Sequence, residues 1–536
     1  MKNDELRTGF GEHGEGVKLI EPDDIKRNEE LFKIYGMSVV TSDKISVNRS
    51  IPDFRHPECL KKRYLKYLPP VSIIIIFNNE IFSVFKRTLH SLYNRTPHEL
   101  IKEVILVNDN STFEYLYDSL KSYIDDNFSD IYFKIINLES RHGLMRARMI
   151  GVEAAQSEFV FMMEPHCEMT YNWLPPLIEP LLVNIRTVTV PIVDNVEYTQ
   201  LNYYENDRGN LGSRGVFDWD LEYQKLKRFS FIDDQKLEPF LTPIMTGGIF
   251  MIRKSYFQYL GPYDEELLIW GAENIEMSLK IHLCGGQLLE VPCSRIGHIF
   301  RAFTKSRKHE SGKDFLYFNR KRIVEVWFEE FKNYVYRRHP ERYNIDDVGN
   351  LTKPMKIREE LNCKSFSYFL EVIAPDLLRT YPLNTPAFAS GRIQLMNENL
   401  CLESSLKPDN PAMLKECQDP TVFIQEFELS WYRDIRMVNT EICLDFHQAT
   451  FTICHLLGGN QIFKYDLRTK QIISVARRLC LQADIANRSL KFDKCDETLN
   501  SQKWVWSSFV NETMLDRWKE SGRAMDESGE YYFDEY

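Results

Sequence analysis

Three apolar runs in the first third of the chain each end abruptly at polar residues. "VSIIIIF" (71–77) is continuous and β-branched, as a strand covered on both faces requires. It stops at Asn78-Asn79-Glu80. "EVILVNDNS" (103–111) is a second buried strand, turning polar at Asn108-Asp109-Asn110, and "FVFMM" (159–163) is a third, ended by Glu164-Pro165-His166. Between them, "IFSVFKRTLHSLYNR" (81–95) and "GLMRARMIGVEAA" (143–155) space their apolar residues at the helical period. Strands and helices alternating at these lengths predict a parallel α/β sheet with its site at the carboxyl ends of the strands. Residues 1–60 are polar with little periodicity and read as a stem or an extended wrap.

After about residue 385 the pattern changes. Cys-Leu-Glu (401–403), Cys-Leu-Asp (443–445) and Cys-Leu-Gln (480–482) recur at spacings of 42 and 37, and Gln425-Glu-Phe, Gln461-Ile-Phe and Gln502-Lys-Trp at 36 and 41. A period of about 40 residues with short strands predicts a three-fold β structure. The chain divides into an N-terminal extension (1–60), an α/β domain (61–380), a linker rich in Pro and small residues (381–390), an all-β domain (391–513) and an acidic tail (514–536) that reads as disordered.

Length and charge narrow the function. A chain of 536 residues has room for two or three full cores. A net charge of 67 − 78 = −11 gives no electrostatic case for nucleic acid. The longest apolar run (71–77) is too short to span a bilayer, and the polar N-terminus has no signal-peptide core. This sequence therefore reads as soluble, either cytosolic or lacking an N-terminal anchor present in a longer version. Eleven cysteines bear on that choice: the last six form three pairs with 15, 10 and 14 residues between partners, which suggests local disulfides and an oxidising compartment. Buried free thiols are the alternative. Sequons at Asn48, Asn127, Asn487 and Asn511 agree with a secretory route.

The stretches "FNNE", "ILVNDNS", "RHGLMRAR", "EPHCE", "TGGIFMIRKSYFQYLGPYDEELLIWGAENIEMS" and "CGGQLLEVPCSRIGHIFR", followed by a "CLD…GGNQIF" repeat, resemble the polypeptide N-acetylgalactosaminyltransferases. The resemblance runs from about residue 10 to 510. It implies a Rossmann-like GT-A domain that binds a nucleotide sugar, joined to a ricin-type β-trefoil lectin domain. It also implies UDP-GalNAc as donor, Ser or Thr of polypeptides or glycopeptides as acceptor, Mn²⁺ as cofactor, and a Golgi-lumenal location behind a membrane anchor that this sequence lacks. Disulfides Cys59–Cys293, Cys284–Cys363, Cys401–Cys417, Cys443–Cys454 and Cys480–Cys495 follow from it, leaving Cys167 free.

By the same resemblance the metal ligands are Glu164, His166 and His298. A diphosphate leaving group needs its charge neutralised, and oxygen plus imidazole donors suit Mn²⁺. Glu164 stands where the family has Asp, and the extra methylene shifts the carboxylate by about 1.5 Å unless the turn compensates. A hydrogen-bonded Glu–His pair at a strand end is the alternative. Asp109 resembles the residue that reads uracil or ribose, though it also suits a turn. Ile76 and Asn78 replace a Thr and a His of the nucleotide loop. Arg141 and Arg148 resemble nucleotide-sugar contacts, or form an exposed basic helix face. Gly247 and Gly248 resemble a loop whose backbone approaches the sugar. Trp270, Glu273 and Asn274 resemble the catalytic, sugar- and acceptor-side motif, with Ala272 in place of its second Gly, a small change unless that position needs positive φ. Arg301 is kept, but the lid that follows in the family is replaced by "AFTKSRKHESGKDF" (302–315), with Lys305, Arg307 and Lys308.

In the middle repeat, the same resemblance implies that Asp445, His455 and Asn460 supply the polar half of a GalNAc pocket. The first repeat has Glu403 and the third Gln482 at the Asp position, so one working site is expected, or a purely structural trefoil. Two functions stay open: an active GalNAc transferase, or a catalytically silent member that binds GalNAc-bearing glycopeptides or a partner enzyme. Preference for another sugar or acceptor is a third.

Overall fold

The computed structural model describes the chain apart from residues 1–3, 5, 207–210, 230–236, 303–313, 338–339, 346, 384–386, 406–409, 439, 441, 455–458, 517–523, 526–530 and 533–536. It divides into two compact units, Met1–Pro375 and Asp376–Tyr536. Among the described residues no helix is long and apolar enough to cross a membrane.

The first unit opens with helices α1 (Pro22–Tyr35) and α2 (Val39–Lys44). Its sheet begins with parallel strands β1 (Val71–Phe77), β2 (Ile101–Asn108), β3 (Phe133–Asn137) and β4 (Phe159–Met163), in the order β3-β2-β1-β4. Every residue of β1 is buried. Val71, Ile73, Ile75 and Phe77 share one cluster with Phe85, Leu89 and Leu92 of α3 (Phe82–Arg95). On the other face, a Cβ added at Gly151 of α5 (Leu144–Ala154) would lie 2.4 Å from Ile74, so only glycine lets that helix settle there. The intervening helix is α4 (Asp118–Asn127). This two-sided burial is what the unbroken apolar run requires.

The sheet continues past β4 through β7 (Phe250–Arg253), β6 (Thr187–Val196) and β8 (Gln287–Ile299) to an edge strand, Phe240–Leu241. A short strand, β5 (Cys167–Met169), pairs antiparallel with β8 and sets His298 opposite Cys167. Two helices follow the sheet's later strands in the site: α6 (Glu273–Leu283) and α7 (Phe315–Trp327). Disulfides Cys59–Cys293 and Cys284–Cys363 close this unit, and Cys167 is buried and free.

The stem expected over residues 1–60 is not a separate element. Val17, Met37, Val39 and Ile45 pack with Ile81, Val84, Val196 and Ile299 in one apolar cluster. Arg49 and Glu12 are also buried. The segments that carry these residues are part of the core, while α1 buries none of its charged residues, which gives the stretch its polar composition.

The second unit is built of two sheets of short antiparallel strands. Three of its hairpins pair Leu400–Glu403 with Met413–Glu416, Ile442–Asp445 with Thr450–Ile453, and Leu479–Asp484 with Ser489–Lys494. Each is closed by its own disulfide, Cys401–Cys417, Cys443–Cys454 and Cys480–Cys495. The repeated Gln-x-aromatic triplets explain themselves: Phe427, Phe463 and Trp504 are fully buried, and Gln425, Gln461 and Gln502 are buried beside them. Each glutamine amide donates to a hairpin carbonyl, of Glu416 (2.9 Å), Ile453 (3.0 Å) and Lys494 (2.9 Å) respectively. The expected linker over 381–390 is cut short, because Phe388 and Ala389 are fully buried in the trefoil core and Ala389–Gly391 is already a strand. Of the tail, Glu512–Asp516 is helical and Ala524–Met525 pairs with Tyr531–Tyr532; its other residues beyond 516 lie outside those described.

Candidate active site

The carboxyl ends of β1, β2 and β4 deliver Glu80, Asp109 and Glu164 to one edge of the sheet. Glu164, His166 and His298 offer donor atoms within 4.8 Å of one another. Both imidazole Nε2 atoms are aimed at the same carboxylate oxygen, Glu164 Oε2, at 2.9 Å from His166 and 2.7 Å from His298. The β5–β8 register puts the two rings side by side, with centroids 4.8 Å apart. One carboxylate oxygen and two imidazole nitrogens that converge in this way fit a divalent cation of the manganese type.

Glutamate at 164 is accommodated by its neighbours. A Cβ at Gly248 would lie 2.7 Å from Glu164 Oε1 and 3.0 Å from its Cγ, so the longer side chain fills the space a bare glycine leaves.

A buried glutamate at the polar end of β1, given no role by the sequence, completes the site. Glu80 Oε2 accepts from His166 Nδ1 at 2.9 Å, and its Oε1 accepts from the Arg301 guanidinium and from the Ile81 N–H (2.9 Å). A carboxylate on Nδ1 fixes the ring and frees Nε2 for a metal. Thr88 of α3 pins the same turn, donating to Pro165 O (2.9 Å) and accepting from Cys167 N (3.0 Å). The sequence alone does not give these roles, since the partners that define them in the site, His166 and Arg301 for Glu80 and Pro165 and Cys167 for Thr88, lie 77 to 221 residues away in the chain.

The charges settle into a definite pattern. Burial alone would raise the Glu164 carboxyl, but hydrogen bonds from His166 and His298 outweigh it and hold it well below the usual range. Burial would likewise raise Glu80, but Arg301 and His166 bring it to about 2. Burial would push His166 down, yet the Glu80 charge and the hydrogen bonds to Glu164 and Glu80 raise it to about 9. His298 is lowered, by burial above all. The proton of the metal-free site therefore sits on His166. Its ion pairs stabilise the fold fully below the ordinary imidazole pKa, and that stabilisation is lost as pH rises through about 9. A metal takes the neutral imidazole, so Mn²⁺ uptake at pH 7 should release about one proton and tighten as pH rises towards that value. Titrations in two buffers of different ionisation enthalpy measure the released proton; none released would contradict this assignment.

A second group lies across the glycine loop. Gly247 and Gly248 have φ of 93° and 74°, and a Cβ at Gly247 would meet Asn274 at 3.2 Å and Glu273 Oε1 at 3.8 Å. The Asn274 amide donates to Met245 O (3.0 Å), locking this loop to α6. Glu273 pairs with the buried Arg148 (3.4 Å) and accepts from Gly271 N (3.0 Å). Trp270 is 45% exposed, so it presents a face to solvent where a lone Trp beside a Glu would more often be core.

The loop that carries Trp270 is strained. Ile269 has φ of 40°, rare for a β-branched residue, and Ala272 has φ of 66°. Asn319 of α7 holds it there, accepting from Leu268 N (2.8 Å) and donating to the carbonyls of Leu268 (2.8 Å) and Gly271 (3.1 Å). Ala272 thus occupies a position that favours glycine. Ala272→Gly should stabilise the protein by about 0.5–1 kcal/mol in urea unfolding; a loss of stability would show that the methyl packs well enough to repay the strain.

The remaining predicted residues divide. Asp109 is buried and accepts from the backbone N–H groups of His142 (2.6 Å) and Gly143 (2.9 Å), which leaves other lone pairs for a ligand. Gly143 in turn packs on Ile269, where a Cβ would lie 2.8 Å from its Cα, so Asp109 is linked to the Trp270 loop. Asn78 donates to Asp109 O (2.7 Å), and Ile76 is buried in β1. Arg148 is buried in the site but Arg141 is exposed, so the two arginines do not form one basic face. Lys305, Arg307 and Lys308 lie outside the described residues.

In the trefoil, Asp445 accepts from His447 N (2.8 Å) and from the Asn460 amide, while His455 lies outside the described residues. The equivalents in the other repeats are turned to structure: Glu403 and Gln482 each accept from their repeat's glutamine, Gln425 (2.9 Å) and Gln502 (3.0 Å).

Comparison with known proteins gives the family of both units. Residues 72–261 match Glycosyl transferase family 2, residues 234–305 the N-terminal domain of galactosyltransferase, and residues 389–504 the Ricin-type beta-trefoil lectin domain. The chain is 41% identical over 533 residues to N-acetylgalactosaminyltransferase 6 of Drosophila melanogaster, covering 97% of this chain and 79% of that one. It is 35% identical to Polypeptide N-acetylgalactosaminyltransferase 10 of Mus musculus, covering 97% and 87%. A crystal structure of GalNAc-T7 with UDP, GalNAc and Mn²⁺ superposes with a TM-score of 0.69 at 30% identity, covering 94% of each chain. With relatives this similar over nearly its full length, the chain belongs to the polypeptide N-acetylgalactosaminyltransferase family.

Proposed function

We propose that this protein transfers GalNAc from UDP-GalNAc to Ser or Thr of polypeptide acceptors, with retention, using Mn²⁺. The observation that carries the reading is the convergence of Glu164, His166 and His298 on one point, across Gly247-Gly248 from the Glu273–Arg148 pair. Mn²⁺ held by those three residues would supply the positive charge that a departing diphosphate needs. Glu80 keeps His166 turned with Nε2 toward that point. Asp109 and the backbone it orders would face the nucleotide. Gly247 and Gly248 allow backbone to approach the sugar, and Glu273, fixed by Arg148 and Gly271, would accept hydrogen bonds from its hydroxyls. Trp270 and Asn274 would border the acceptor side. No side chain is placed here as a dedicated nucleophile.

The middle trefoil repeat is proposed as a GalNAc site, a reading supported by the pairing of the Asp445 carboxylate with the Asn460 amide. We place the protein in the Golgi lumen, a reading supported by its five disulfides.

The test is transfer itself: incubation with UDP-GalNAc, Mn²⁺ and Ser/Thr peptides or GalNAc-glycopeptides, read by mass spectrometry. A HexNAc added to Ser or Thr supports the reading. No transfer by folded protein that still binds GalNAc-glycopeptides would favour the silent, lectin-type member instead. Asp445→Ala should abolish trefoil binding of GalNAc, at least tenfold in affinity, with transfer to short naked peptides unchanged; an unchanged affinity would mark the trefoil as structural.

A further inference from the structure

Residues 12–50 precede the stretch that matches the glycosyltransferase family, yet they hold the outside of the metal constellation at three places. Arg49, fully buried, makes a two-pronged ion pair with Glu168, Nε to Oε2 at 2.9 Å and Nη2 to Oε1 at 2.7 Å. Glu168 lies on β5, two residues after His166, with its neighbour Cys167 in register with His298. Cys167 and Met169 point into the apolar core, so strand alternation turns Glu168 to the opposite face, where Arg49 grips it. Arg95 ties the two segments of this contact together, donating to Arg49 O (2.6 Å) and to the O of Met169, the residue after Glu168 (2.8 Å). Separately, Gly36 O accepts from Ala302 N (2.9 Å), the residue after Arg301. Met37, Val39 and Ile45 pack with Ile81, the residue after Glu80, and with Ile299, the residue after His298. His166, Glu80, His298 and Arg301 each have a close chain neighbour held by this segment.

We propose that segment 12–50 is a working part of the metal site and that Arg49 is its principal positioning residue. The proposal rests on the reading of Glu164, His166 and His298 as metal ligands. A buried ion pair returns little net stability for the desolvation it costs. Its two-pronged geometry does fix direction, and here the direction fixed is that of the strand bearing His166.

The test is Mn²⁺ affinity, by calorimetry and by the electron paramagnetic resonance signal of free Mn²⁺, for wild type, R49K and R49M/E168L. All are measured below their unfolding temperatures. R49K keeps the charge but not the fork, and should weaken binding about threefold. The double substitution removes the pair with no change of net charge but takes from the buried Arg87 a nearby carboxylate and from Leu201 O a donor, so it should unfold below the wild-type temperature and, while still folded, bind Mn²⁺ about tenfold more weakly or worse. The pair Arg436–Asp434 in the second unit is the control, and D434L/R436M should leave the affinity unchanged. Wild-type affinity in folded R49K and R49M/E168L, or equal weakening by the control, would overturn the proposal. A wild type that binds no Mn²⁺ would instead overturn the metal-site reading beneath it.

Discussion

His298→Ala should abolish transfer, with kcat/KM falling on the order of 10³-fold or more, the several kcal/mol a metal contributes to leaving-group charge. His298 is partly buried and shares Glu164 Oε2 with His166, so its loss leaves two donors where three converge. The fold should survive. The His298 Nδ1 has no partner among the described residues, and the carboxylate keeps its bond to His166. Normal thermal unfolding together with lost Mn²⁺ binding and lost transfer is therefore the expected set of results. Glu164→Asp sharpens the point. The family resemblance would make Asp the better ligand, but in this site Gly248 packs on the Glu164 methylene, and retraction by about 1.5 Å leaves both imidazoles short of the carboxylate. Mn²⁺ affinity should drop about tenfold. A gain of activity in Glu164→Asp would instead show that glutamate had impaired the site.

Glu273→Ala should lose both stability and activity. Glu273 is the buried counter-charge of Arg148, whose guanidinium lies in the site with Tyr263 beside it. Removing one member of a buried pair costs about 3–5 kcal/mol, because the other is left charged and dry. The same carboxylate holds Gly271 N, next to the strained Ala272, so the Trp270 loop should also relax. Glu273→Gln keeps the shape and an acceptor for Gly271. It should recover part of the stability, measured by urea unfolding, but little of the transfer. Full activity in Glu273→Gln would remove this residue from the sugar site.

The parts of this molecule that were readable in the sequence are those whose signals are local. "VSIIIIF" and "FVFMM" announce buried parallel strands because every position is apolar, and the polar residues after them mark the site edge. The Cys-Leu-acid and Gln-x-aromatic repeats announce the trefoil because each repeat must bury the same aromatic and satisfy the same glutamine. "FKIIN" forms β3 without a clear pattern in the sequence, since four partly exposed residues and one exposed residue give too short an apolar run. The residues that hold the site were hidden for a different reason. Glu80, Thr88, Arg49 and Asn319 look like ordinary polar residues, and their meaning lies in partners 46 to 221 residues away. The first 60 residues read as a stem or an extended wrap, and the sequence does not choose the wrap because their buried contacts run through charges, Arg49 to Glu168 and Glu12 to Ser50, as well as a few scattered apolar positions. The need for a positive φ at Ala272 is likewise set by Asn319 and Glu273, and not by the loop's own sequence.

The most direct test of a metal-dependent nucleotide-sugar site is calorimetric titration of UDP into the folded protein, with and without Mn²⁺. The account predicts micromolar binding that requires Mn²⁺ and disappears in His298→Ala. No binding at millimolar UDP, or equal binding without the metal, would contradict it.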